Sequence, residues 1–189
     1  MFDQDALHQR GKALEDEFFR QVDQKLIADM KAAEEREKLK EQFSSVTGFK
    51  DDQLLEHLVD AGFQPASLAA LALVPAVFVA WADGSVTSQE RQEVMNAALH
   101  RGVEEQPTAM QLLESWLQKH PPRPLWKLWK EYVEAVYQSV PSESGEALAN
   151  EIRQQAKTVA EASGGTLGFG KISQTEREIL DDIDSVFSA

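Results

Sequence analysis

Leu68-Ala69-Ala70-Leu71-Ala72-Leu73-Val74-Pro75-Ala76-Val77-Phe78-Val79-Ala80-Trp81-Ala82 contains no charged, hydroxyl or amide side chain, and Asp83-Gly84-Ser85-Val86-Thr87-Ser88-Gln89-Glu90 follows it directly. A surface helix keeps one polar face, so an apolar stretch without one must be enclosed by other elements. The reading is a central helix inside an all-α body. Fifteen residues at a rise of about 1.5 Å span about 22 Å, short of the roughly 20 residues a bilayer requires, so burial in protein is expected rather than a membrane span. Pro65 suits a first helical turn, whereas Pro75 removes an internal hydrogen bond and places a kink near residues 71–75.

Beyond this segment, Thr87 followed by Glu90 reads as a capping box that starts a second helix, with Val94, Met95, Ala98 and Leu99 on its inner face and Gly102 at its end. Further helices are read from Met110, Leu113, Trp116 and Leu117, and from Leu125, Leu128, Trp129, Tyr132, Val133, Val136 and Val140. Leu148, Ile152, Ala156 and Val159 give another. Ile179, Leu180, Ile183, Val186 and Phe187 give the last. No segment shows sustained strand-like alternation.

Before the central segment, Leu14, Phe18, Phe19, Val22, Leu26 and Met30 follow helical steps along one stripe, too apolar to stay solvated. Residues 31–41 are almost all charged or alanine, a solvated neck able to stand clear of the body. The stripe therefore either packs back on its own domain or docks on something else. Ser44, Ser45, Thr47 and Gly48 break the pattern, and Asp51-Asp52 open a short helix of Leu54, Leu55, Leu58 and Val59 closed by Gly62. The division is an N-terminal helix over residues 1–48 and an all-helical domain over residues 49–189.

Thirty-two acidic against nineteen basic residues give a net charge of -13, which repels nucleic acid and anionic lipid and favours cationic partners. With no cysteine there is no disulfide, thiolate nucleophile or zinc-thiolate site. The first residues carry no basic segment followed by an apolar run, so a cytoplasmic protein is expected.

Asp83-Gly84-x-Val86-x-x-x-Glu90 matches the second half of a calcium loop, but Val79 and Trp81 stand where the first two ligands belong, which excludes an EF-hand. A turn followed by a helix cap explains the same residues. A different divalent-cation site would need Asp83, Glu90 and Glu93 to converge. Gly165 to Lys171 spells GxxxxGK, yet Ile172 replaces the hydroxyl that would hold Mg²⁺, and the preceding segment reads as helix rather than strand. His8, His57, His100 and His120 show no ligand spacing, and no catalytic constellation accompanies them. Among the aromatic residues Trp126 is the expected exposed member, a candidate partner contact. Finally, Gly84-Ser85-Val86-Thr87-Ser88-Gln89-Glu90-Arg91 aligns without gaps on Gly170-Lys171-Ile172-Ser173-Gln174-Thr175-Glu176-Arg177, so two helix starts are built alike.

The stretch Phe78-Val79-Ala80-Trp81-Ala82-Asp83-Gly84-Ser85-Val86-x-x-x-Glu90-Arg91 resembles the tellurite-resistance TerB-like family, which includes the N-terminal domain of DjlA-type co-chaperones. The resemblance covers about residues 51–189. It implies a compact all-α fold, acidic loop residues that bind metal (here Asp83 and Glu90) and a role in stress response or envelope-associated complexes without catalysis. Phe2-Asp3, Arg10, Ala13, Glu15 and Phe18 are faintly similar to the F1-ATPase inhibitor zeta subunit, which would make the N-terminal helix an inhibitory one. Together these readings lead to a non-enzymatic helical interaction protein without a tightly bound cofactor. It would engage a protein partner or a second copy through Leu14, Phe18, Phe19, Val22, Leu26, Met30 and Trp126. The alternatives are a divalent-metal stress protein and an ATPase regulator.

Overall fold

The computed structural model describes residues 3–162 and 172–188, with side chains from Glu17 onward. The GxxxxGK stretch and the Leu14 side chain lie outside that description. All regular structure among the described residues is helical. Eight α-helices follow in order: α1 (Asp3–Thr47), α2 (Asp52–Asp60), α3 (Val74–Ala80), α4 (Ser88–His100), α5 (Pro107–Gln118), α6 (Pro124–Ser139), α7 (Ser142–Ala162) and α8 (Gln174–Val186). No single described helix is long and apolar enough to cross a membrane.

The central apolar segment is buried as expected, but it is not one kinked α-helix. Pro65–Leu73 forms a 3₁₀ helix and α3 begins only at Val74. The division answers the proline problem: in a continuous helix the ring of Pro75 would meet the Leu71 carbonyl and leave it without a donor. A restart at Val74 puts Pro75 in the first turn of α3, where no N–H is needed. A 3₁₀ helix has three residues per turn, so side chains align in columns. Leu68, Leu71 and Val74 form one buried column, and Ser67, Ala70 and Leu73 form a second. The remaining column, Ala66, Ala69 and Ala72, is all alanine and meets solvent in part. Ser67, buried in this apolar setting, is satisfied locally: its Oγ donates to the Gln64 carbonyl and accepts from the Gln64 N–H.

Around this axis α5 packs on the 3₁₀ helix, and α7 packs on both α3 and α4. The short α2 lies across the end of α1 and against α6. Its start is capped by Asp51, whose Oδ1 accepts from the Gln53 and Leu54 N–H groups. Arg101, just beyond α4, donates Nε to Gln155 of α7 and pairs with Glu151 at 3.3 Å. Leu99, expected inward, is instead 51 % exposed.

α1 continues unbroken through Ser44 and Ser45 and stops at Thr47, where Gly48 takes a φ of 77°. The charged neck does not stand clear of the body over its last part. Arg36 Nη1 lies 2.7 Å from Asp60, and Lys40 Nζ lies 2.6 Å from Asp52, so two cations from α1 grip both ends of α2. One turn further on, Phe43 is fully buried in the core beside the nearly buried Phe49. The core therefore reaches back across the 48/49 division into the end of α1.

This arrangement separates two truncations. Removing residues 1–30 is expected to leave the cooperative melting of the body unchanged within a degree or two. Removing residues 1–45, or making Phe43→Ala alone, is expected to cost about 3–5 kcal/mol, the usual range for emptying a buried phenylalanine site. Urea unfolding followed by circular dichroism measures both.

Candidate functional site

The described side chains of the stripe, Phe18 to Met30, are exposed on α1. Phe18 is 62 % exposed, Phe19 60 %, Val22 45 %, Leu26 57 % and Met30 64 %, and Ile27, which the sequence reading omitted, is 54 % exposed. Phe18 and Phe19 contact each other edge to face at 5.8 Å. The stripe does not fold back onto its own domain. This is more apolar surface on one stretch of helix than the single scattered apolar residues ordinary on a protein surface.

At the N-terminal end of the stripe, polar side chains pair within the helix. Arg20 pairs with Glu17, which also accepts from Gln21. Over residues 17–31 three acidic residues (Glu17, Asp23, Asp29) are matched by three basic ones (Arg20, Lys25, Lys31), so this segment is neutral in a chain of net charge -13.

The acidic loop is built differently from a cation site. Glu90 is 2 % exposed, and its Oε2 accepts from the Thr87 N–H at 2.6 Å and the Thr87 hydroxyl at 2.7 Å, while the Glu90 N–H donates back to Thr87 Oγ1. Its carboxylate is thus consumed as a helix cap. Asp83 points elsewhere, accepting from Thr175 Oγ1 at 3.0 Å, and Glu93 accepts from Asn96 Nδ2 at 3.3 Å. Among the described residues no three His, Asp or Glu side chains are grouped to hold a metal. The geometry does not bring Asp83, Glu90 and Glu93 together as ligands, because each carboxylate has a local hydrogen-bonding role.

The second helix start repeats the first. Glu176 is 1 % exposed and accepts from the Ser173 N–H at 2.6 Å, and its own N–H donates to Ser173 Oγ at 3.2 Å. The Asp83–Thr175 hydrogen bond joins these two similar motifs directly, so the loop after α3 is tied to the first turn of α8.

Trp126 is not the exposed contact expected of it. Its ring packs 4.8 Å from that of Trp129 and 4.9 Å from that of Phe78, and its Nε1 donates to Asp182 at 2.7 Å. Lys130 donates to the same carboxylate at 2.6 Å. The tryptophan is a joint between α6 and α8. Burial alone would raise the Asp182 carboxyl, but the hydrogen bonds from Lys130 and Trp126 outweigh it and hold the group below its ordinary 3.8.

A cleft of about 420 Å³ opens beside α2, α5 and α6, lined by Phe63, Leu112, Trp116, Leu125 and Leu128 together with His57 and Glu131. His57 Nδ1 lies 2.6 Å from Glu131 Oε2, and Lys127 reaches the other oxygen of that carboxylate at 3.4 Å. Of the residues lining it, none carries a hydroxyl or a thiol, so the cleft offers no nucleophile of that kind. The pattern of single residues could not reveal it, because His57 and Glu131 are 74 positions apart.

Three outcomes follow. A depressed folded pKa at Asp182 means that its stabilising effect is complete above 3.8 and is lost as pH falls through the lower folded value. The stability difference between wild type and Asp182→Asn is therefore expected to stay level from about pH 5 to 8 and to shrink below about pH 4, measured by urea unfolding across pH. Asp83→Ala is expected to lower stability by about 0.5–1.5 kcal/mol through loss of the Thr175 contact. Millimolar Ca²⁺, Mg²⁺ or Mn²⁺ is expected to leave the melting temperature of the wild type unchanged. Comparison with known proteins adds no relative to this description: no family model, curated protein or solved structure matches the chain significantly.

Proposed function

We propose that the chain is a non-enzymatic interaction protein whose body anchors a long helix and whose partner surface is the apolar stripe of that helix. The observation that carries this reading is the exposure of Phe18, Phe19, Val22, Leu26, Ile27 and Met30 on one stretch of α1. If full burial of such a side chain contributes about 1.5–3 kcal/mol, a few of them suffice for complex formation after the ordering costs of association are met. The body supports the role by holding the helix at its base, through Arg36, Lys40 and Phe43. Trp126 is left out of the partner surface because its indole is committed to Asp182. A cytoplasmic setting is part of the proposal, and a place in a stress response rests only on the TerB-like resemblance.

Site-specific photo-crosslinking tests the reading in the native cell. A photoreactive residue at Val22 is expected to give discrete protein adducts, and Leu26→Asp is expected to remove them without shifting the melting temperature. A probe at the exposed Glu143 of α7 supplies the reference, and equal yields at Val22 and Glu143 would refute the proposed surface.

A further inference from the structure

The proposed interaction surface leaves its occupant open, and three features of α1 identify one. The first is charge. A chain of net charge -13 repels a second copy overall, but residues 17–31 are neutral, with three acidic and three basic side chains. Two copies can approach along this segment without a local charge penalty. Anionic lipid is disfavoured by the same net charge, and the segment lacks the excess of basic residues that membrane-surface helices carry.

The second feature is spacing. Phe18, Val22, Leu26 and Met30 stand four residues apart and are arranged symmetrically about position 24. When two such helices run antiparallel, Phe18 of one copy meets Met30 of the other and Val22 meets Leu26, so each member of this row faces another large side chain, while Phe19 and Ile27 come level with Asp29 and Gln21. A two-fold interface must be self-complementary in this way. The antiparallel sense also sets the acidic bodies at opposite ends, whereas a parallel pair would bring them side by side.

The third feature is area. With exposures between 45 % and 64 %, the six residues present on the order of 600 Å² of apolar surface, taking about 150–250 Å² for an aromatic side chain and less for an aliphatic one. Two copies would bury at most about 1,200 Å² if all six were fully covered, which sets the lower edge of the range for specific interfaces as a ceiling and makes the dimer a weak, reversible one.

We infer that the stripe on α1 is a homodimer interface in which residues 17–31 of two copies pack antiparallel about position 24. This inference rests on the proposed interaction role and specifies its partner. Because the chain has no cysteine, single labelling sites can be introduced cleanly into the full-length protein. Sedimentation equilibrium is expected to show a monomer–dimer equilibrium, with Val22→Asp/Leu26→Asp raising the dissociation constant more than tenfold and leaving the melting temperature unchanged.

Spin labels then report direction. Gln24→Cys is expected to give a pair distance below about 30 Å, the width of two packed helices plus their labels. Ser45→Cys, 21 residues from the centre, is expected to give about 60 Å at a rise of 1.5 Å per residue. Short distances at both sites would mean a parallel pair and would overturn the inference. A monomer at all concentrations would overturn it as well, and discrete Val22 adducts with another protein in the cell would then show that the interaction role stands without self-pairing. A monomer that instead binds neutral or anionic vesicles through the stripe would overturn both.

Discussion

The structure depends on enclosing residues 65–80, a segment with one hydroxyl and no charge. Exposing such a segment to water would sacrifice the largest favourable contribution to folding, so every neighbouring helix is placed by the need to cover it. Two proline residues decide how it is covered. Pro65 begins the 3₁₀ helix and Pro75 stands in the first turn of α3, which divides the axis into a 3₁₀ rod and an α-helical rod. The first rod receives α5 and the second receives α7. A single straight helix of the same composition would offer one uniform cylinder and no reason for this division.

Charge plays the complementary role at the edges of that core. The acidic excess works against compaction by self-repulsion, and several carboxylates are given specific local partners. Glu90 and Glu176 are drawn inside as reciprocal caps, Asp182 is held by Lys130 and Trp126, and Asp52 and Asp60 receive the two cations of α1. Exposed pairs of this kind are worth little singly, typically below about 1 kcal/mol, and their consequence is geometric. Arg36 and Lys40 fix the direction in which α1 leaves the body, while Phe43 supplies the buried anchor.

The helical class, most helix boundaries and the Thr87 cap were legible because each depends on neighbours within a few residues. The two-rod axis had a local signal as well, since alanine recurs at positions 66, 69 and 72 with the period of three that a 3₁₀ helix requires. Read against a period of 3.6, that signal vanishes into a generally apolar run. Other features have no local signature. Nothing near Asp83 indicates that Thr175 takes its carboxylate, and nothing near Trp126 indicates Asp182, 56 positions away. A calcium-like half loop and a helix cap share residue types, so only the position of Glu90, turned inward onto Thr87, distinguishes them. Phe43 was obscured in another way: it follows a charged run whose composition suggests solvent, although Arg36, Lys40 and Phe43 recur on the face that meets α2.

That shared face links the anchored and free parts of α1. Positions 18 and 36 are eighteen residues apart, five complete turns at about 3.6 residues per turn, so Phe18 and Arg36 project on nearly the same side. Phe18 and Val22 thus lie along the side of the helix that α2 covers further on, while Leu26 and Met30, each another 40° round, carry the stripe away from that side. At the base, the face is polar and is held by ion pairs. Toward the N-terminus the exposed side turns apolar, and no element among the described residues covers it. A helix whose exposed side is apolar beyond its last intramolecular neighbour leaves that surface wet at a cost, and the neutral charge of residues 17–31 removes the local charge barrier to covering it.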